Sequence, residues 1–214
     1  VDNFIFQLNQ HSWLTVTLDK DSSAISNLSI HRSTQEIILS YLKKKLDLEK
    51  NKDLIFPLAL VIEKYLDTIS KENDFSQLKL LINHCKRFLS HTSLFNEATL
   101  AVIKKVLGAT YLYLRDNVKA QQFLTESLAD FNKYLPESHT SIAQILAFLG
   151  CTHGELGDHE NPEIFFEQSL AIHKKYFPEN RLNIAWVLVN LGRTYKWMGF
   201  YDKAKKCLEE ALLI

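Results

Sequence analysis

The chain has 214 residues, 46% of them hydrophobic, enough for one or two domains with a sizeable core and too apolar for a disordered segment. Its 25 basic residues balance its 25 acidic ones, so no net charge draws it to nucleic acid or to an anionic membrane. The longest apolar run, residues 56–62, is far too short to span a bilayer, and the start, VDNFIFQLNQ, lacks the basic segment of a signal peptide. Cys85, Cys151 and Cys207 are odd in number and far apart, which argues against a disulfide framework or a metal-spaced cluster and fits a reducing compartment such as the cytoplasm. Without an initiating Met, and stopping inside the helical pattern CLEEALLI, the chain reads as a piece of a longer protein.

In chain order, 13-WLTVTL-18 comes first. Leu14, Val16 and Leu18 alternate with threonines, the period-two signal of a strand. A polar turn is expected over 19-DKDSSAISN-27, after which Leu28 and Ile30 alternate again. Residues 14–18 should therefore pair with 28–30 as an antiparallel hairpin. His31 is next, then Ser33 and Glu36 at capping-box spacing, with Ile38, Leu42 and Leu46 on one helical face.

Two amphipathic stretches come after this, 55-IFPLALVIEKYLDTI-69 and 77-QLKLLINHCKRFLS-90. They read as a degenerate helical hairpin, separated from the C-terminal half of the chain by the polar run 91-HTSLFNE-97.

From there the chain repeats itself. The segments 107-LGATYLYLRDNVKAQQFLTESL-128, 149-LGCTHGELGDHENPEIFFEQSL-170 and 191-LGRTYKWMGFYDKAKKCLEEAL-212 align without a gap at a 42-residue offset. Each reads as two helices. Ile184, Leu188, Leu191, Tyr195 and Met198 make one apolar stripe, and Gly199 stops that helix as Gly157 stops its counterpart. A glycine inside a helix costs about 1 kcal/mol, so Gly108, Gly150 and Gly192 imply a second helix packed close at that point. Pro162, where the other units have Ala120 and Ala204, is tolerable only in a helix's first turn.

The order Leu191, Gly192, Tyr195, Ala204, Leu208, Ala211 resembles the tetratricopeptide repeat, and the 42-residue period with 186-WVLVNLGRTY-195 resembles its kinesin-light-chain type. His153, Pro162 and Cys207 depart from that pattern. The resemblance covers residues 97–214 and implies an all-α solenoid of three helix pairs stacked in a right-handed array. The N-terminal segment resembles the end of the winged helix of NB-ARC (STAND) signalling ATPases. Ile30, His31 and Arg32 stand where that family has its "MHD" motif, with Gln35 after them. The resulting division is a winged-helix remnant containing a β-hairpin at 1–47, a degenerate hairpin or linker at 48–96, and repeats at 97–214. The second resemblance implies that His31 senses the β-phosphate of ADP held by a separate upstream nucleotide-binding domain in cis. No GxxxxGK[ST] occurs in this chain, so ADP or ATP enters only with that domain, and the segment itself calls for no cofactor.

Catalytic signals are weak. His153, Glu155, Asp158 and His159 span the turn between two helices without metal-ligand spacing, and read as a polar connection. The better candidate is a groove. Stacked helix pairs line a concave surface with their first helices. On the last of these, Trp186, Asn190, Arg193 and Trp197 form a second stripe, apart from the core stripe. Indoles with an amide and a guanidinium suit a peptide, whose side chains meet ring faces and whose carbonyls or carboxylates meet donors. Gln144, Cys151 and Glu155 hold equivalent positions one unit earlier, with Phe148. The opposing expectation is that both tryptophans merely pack against a further repeat. The sequence thus points to a non-catalytic interaction and sensor module, the repeat region of a STAND ATPase. The alternative is a free-standing adaptor or a secreted bacterial effector acting in host cytosol on a peptide or protein.

Overall fold

The computed structural model describes residues 14–18, 25–30, 47, 50–72, 74–134, 139–158 and 161–214. It divides into two compact units, residues 1–52 and 53–214.

In the first unit, β1 (Leu14–Leu18) pairs antiparallel with β2 (Ile25–Ile30), with Leu14 opposite Ile30 and Val16 opposite Leu28. The register breaks between Thr17 and Leu18, and this bulge puts Ile25, not Ser26, opposite Leu18. β2 therefore begins inside the stretch read as turn, because the extra residue carries the pairing back past the interruption in alternation. His31 and the helix expected from Ser33 lie outside the described residues.

The second unit holds eight helices among the described residues: α1 (Phe56–Glu72), α2 (Phe75–Leu89), α3 (Glu97–Tyr113), α4 (Asn117–Tyr134), α5 (Thr140–Glu155), α6 (Asn161–Tyr176), α7 (Arg181–Trp197) and α8 (Tyr201–Leu212). Three tight pairs, α3/α4, α5/α6 and α7/α8, recur, and each second helix packs on the first helix of the next pair.

The repeat positions explain this regularity. A Cβ on Gly108 would meet Leu124 Cγ at 2.7 Å, one on Gly150 the Phe166 ring at 2.9 Å, and one on Gly192 Leu208 Cγ at 3.0 Å. Only glycine lets the partner helix come this close. Thr110, Thr152 and Thr194 each donate to the carbonyl four residues back, at 2.7, 2.8 and 3.1 Å. Ser127 and Ser169 reach across their pairs to the carbonyls of Ala101 and Ala143, both at 2.7 Å. The turn after each first helix has one left-handed residue, with φ of 63° at Arg115, 82° at Gly157 and 81° at Gly199. The next amides, of Asp116, Asp158 and Phe200, bond back to the carbonyls of Tyr111, His153 and Tyr195. Pro162 is the second residue of α6, where its missing N–H costs nothing.

α1 and α2 keep the 42-residue phase but not the packing. Thr68 donates to the Lys64 carbonyl as its counterparts do. Yet Leu66 stands where the other pairs have glycine, and Ile82 stands where Leu124 does. Two branched side chains cannot share the space that glycine and leucine share. α1 and α2 accordingly meet little, and each packs on α3 instead. α1 lies along α3 in a steady register. Asp53, just before α1, accepts from Asn96, Glu63 pairs with Lys105 at 2.6 Å, and Ser70 and Tyr113 line one cleft. The supposedly polar run before α3 also contributes to the interior: Leu94 and Phe95 are buried, Phe95 with its ring 5.3 Å from that of Phe88.

Candidate functional site: the stripe on the first helices

Each first helix carries the stripe read from the sequence, in three different states. On α3 its members Val102, Val106 and Ala109 are at most 2% exposed, and only Tyr113, at the end, reaches solvent. On α5, Gln144, Phe148 and Cys151 are half-buried and Glu155 is exposed. On α7, Trp186 is 40% exposed, Trp197 53% and the Arg193 side chain 51%. α1, packed along α3, accounts for the buried end. The α3 stripe is small and apolar because another helix sits against it.

Past the turn between α1 and α2 the stripe opens into a cleft of about 360 Å³. Ser70, Phe75 and Leu78 form one wall, and Tyr113 and Arg115 stand at the end of α3. Cys151 and Glu155 from α5 and Trp186, Asn190 and Arg193 from α7 complete it. Its electrostatics centre on Glu155, which accepts from Arg115 at 2.7 Å and lies 3.7 Å from Arg193. Two guanidiniums thus meet one carboxylate in the cleft wall, with the Asp67 carboxylate close enough to act on Tyr113. The Arg193 guanidinium also lies over the Trp197 ring, 5.4 Å from its centroid. Burial pushes the Cys151 thiol up to about 12, so at neutral pH it is a neutral wall group and not a nucleophile. Cys85 is held up to about 12 by burial too, and Cys207 is raised for the same reason.

Five residues of the expected groove, Trp186, Asn190, Arg193, Cys151 and Glu155, do converge on this cleft. Three expectations need correction. Asn190 is buried and its amide donates to the Trp186 carbonyl at 2.8 Å, so its side-chain amide is engaged within its own helix. Gln144 is not part of the cleft wall: its Oε1 accepts from Lys105 at 3.0 Å. Trp197 also lies outside the wall and packs beside Gly154, where an added Cβ would stand 3.4 Å from the indole. Trp186 meets Phe148 edge-on, ring centroids 5.7 Å apart. Arg115 was not anticipated. Its one signal in the sequence is that it occupies the position of Gly157 and Gly199.

The polar connection expected after α5 is a hydrogen-bonded turn, with His159 outside the described residues. His153 Nδ1 pairs with Asp158 at 2.8 Å and its Nε2 meets the Gln121 amide at 3.2 Å, while Glu155 turns to the arginines. No group of three or more His, Cys, Asp or Glu suited to a metal ion occurs among the described residues, and none of the helices described is long and apolar enough to cross a membrane.

Residues 143–176 and 184–214 each match a tetratricopeptide-repeat family model. Those residues carry tetratricopeptide repeats. Solved structures of the same fold include BtubC (BKLC) from P. vanneervenii, with a TM-score of 0.58 and 19% identity over 84% of this chain and 77% of that one. A putative kinesin light chain of Podosopora anserina with nearly identical TPR-like repeats gives 0.52 at 14% identity, over 85% and 93%. MamA gives 0.50 at 17% identity, over 80% and 91%. At these identities the likeness is one of fold alone. No curated protein matches the chain. Tetratricopeptide repeats are generally non-catalytic scaffolds that bind protein partners.

Proposed function

We propose that residues 53–214 are a protein-recognition surface and that the ligand lies in the cleft between Tyr113, Arg115, Glu155, Trp186 and Arg193. The observation that carries this reading is the gradient along one stripe. The same helical positions are small and buried on α3 but aromatic, cationic and open on α7. Solvent-facing tryptophan and arginine side chains beside an apolar wall are the residue types that dominate binding energy at interfaces. Trp186→Ala and Arg193→Ala test it, measured for binding and for melting temperature. Weakened binding with an unchanged melt supports recognition; a lowered melt with unchanged affinity makes these side chains packing and ends the reading.

A finer assignment concerns the first unit. The β1–β2 hairpin reaches Ile30, one residue before the His31 that resembles the NB-ARC histidine. We take this as support for a winged-helix end, with the repeats as the sensor region of a STAND-type cytoplasmic ATPase. In a protein that includes an upstream nucleotide-binding domain, His31→Ala should speed ADP release. Unchanged release, or a longer reading frame without a P-loop, leaves the free-standing adaptor.

A further inference from the structure

We infer that the ligand of this cleft is an amphipathic α-helix, lying along the first helices as α1 does, with a carboxylate directed at Arg193 and Arg115; this rests on the recognition reading above. An extended peptide is the poorer fit. A strand brings unpaired backbone N–H and C=O groups that need partners when buried, and the one side-chain amide in the cleft wall, that of Asn190, is buried and donates to the Trp186 carbonyl. A helix satisfies its own backbone and needs only side-chain contacts.

The molecule already contains one such contact. α1 is a helix seated on the α3 stripe, its entry marked by Asp53 at Asn96 and its far end by Ser70, which shares a cleft wall with Tyr113. It gives Val102, Val106 and Ala109 an apolar face, and it gives a carboxylate, Glu63, to the buried cation Lys105. The open cleft continues that interface with wider apolar groups, Phe75 and Trp186, and with two guanidiniums about one carboxylate. A continuous stripe and two guanidiniums sharing a single carboxylate call for the same kind of ligand one helix further on.

Two display libraries, selected on the whole 214-residue chain, test the inference. One presents helices randomised on a single face; the other presents linear peptides interrupted by proline. Binders from the helical library should carry apolar residues at i, i+3 or i+4 and i+7 with one Asp or Glu. They should lose about tenfold in affinity with Arg193→Ala, and a similar factor when a central residue becomes proline. Cleft-dependent binders that tolerate central proline overturn the helix and leave the recognition surface standing. Binders indifferent to both Trp186→Ala and Arg193→Ala, or no binders from either library, overturn the surface and the helix together.

Discussion

The stripe at one end of the repeat array and the stripe at the other share the same spacing and have opposite fates. On α3, Val102, Val106 and Ala109 are sealed beneath α1; on α7, Trp186 and Arg193 face solvent. The cause lies elsewhere, at one position of the first pair. Leu66 replaces the glycine that would let α1 nest on α2, so α1 moves onto α3 and converts a binding surface into core. A repeat array can therefore limit its groove without a separate domain, by giving up one close helix contact.

The largest test of this contrast is the ion pair that helps hold α1. Lys105 is 3% exposed and bonded to Glu63, Ser141 and Gln144. Glu63→Gln removes the carboxylate bonded to a buried ammonium, leaving only the more distant Asp67 as counter-charge, and should cost about 3 kcal/mol in denaturant unfolding. Replacing Glu63 and Lys105 together by leucine and methionine should recover most of that loss. If the single change is silent, α1 is not held where described.

Equivalent stripe positions should next respond in opposite ways. Val106→Ala removes packed methyl groups and should cost about 1–2 kcal/mol. Trp186→Ala, a much larger truncation, should change the melt by less than about 1 kcal/mol, because its main ring contact is one edge-on meeting with Phe148. Similar losses at the two sites would dissolve the distinction between core and surface.

Acid should act on the packed interior more than on the cleft. His139 accepts the Ser141 N–H with Nδ1 at the start of α5, and burial, aided by Lys105, holds its pKa below 6.5. His173 is 1% exposed with Nδ1 unpartnered, and burial lowers it as well. A lowered pKa in the folded state means that the unfolded chain takes up the proton first. Stability from both groups is then complete above about pH 7 and falls as pH drops below 6.5, by up to about 1.4 kcal/mol per pH unit for each histidine. His173→Phe, which copies Phe131 one unit earlier, should flatten the profile and raise the melt at neutral pH. A profile unchanged by this substitution would mean that His173 already has a partner in solution.

The smallest expected effect is at Arg115. Its left-handed backbone is costly for a residue with a Cβ, and its exposed ion pair with Glu155 contributes little to stability. Arg115→Gly should raise stability by at most about 1 kcal/mol while weakening any acidic ligand. A loss of stability would show that the Glu155 pair holds the fold together.

The three regular pairs were legible in the sequence because glycine, alanine and turn residues recur in phase, and each has a steric reason that the 2.7–3.0 Å approaches make concrete. Pro162 and the turns at Gly157 and Gly199 were legible for the same reason. The path of α1 was not: a leucine in place of a glycine signals that nesting fails, but not where the displaced helix goes. For the cleft, residue type located Trp186, Arg193, Cys151 and Glu155. It misjudged Asn190 and Gln144, whose bonds depend on a carbonyl one turn away and on a lysine from another helix. Arg115 escaped notice because it reads as a turn residue, and its reach to Glu155 exists only once α3 and α5 stand side by side.

Lys105 has one more consequence, for cooperativity. In an array where each pair touches only its neighbours, segments can open one at a time from an end. The ammonium of Lys105, on α3, joins Glu63 on α1 to Ser141 and Gln144 on α5. It spans three successive units, so opening any one of them exposes a charge that the other two were neutralising or solvating. Amide exchange should accordingly show α1, α3 and the start of α5 opening as a single block, with α7 and α8, whose tie to α3 through Glu155 is solvent-exposed, exchanging first.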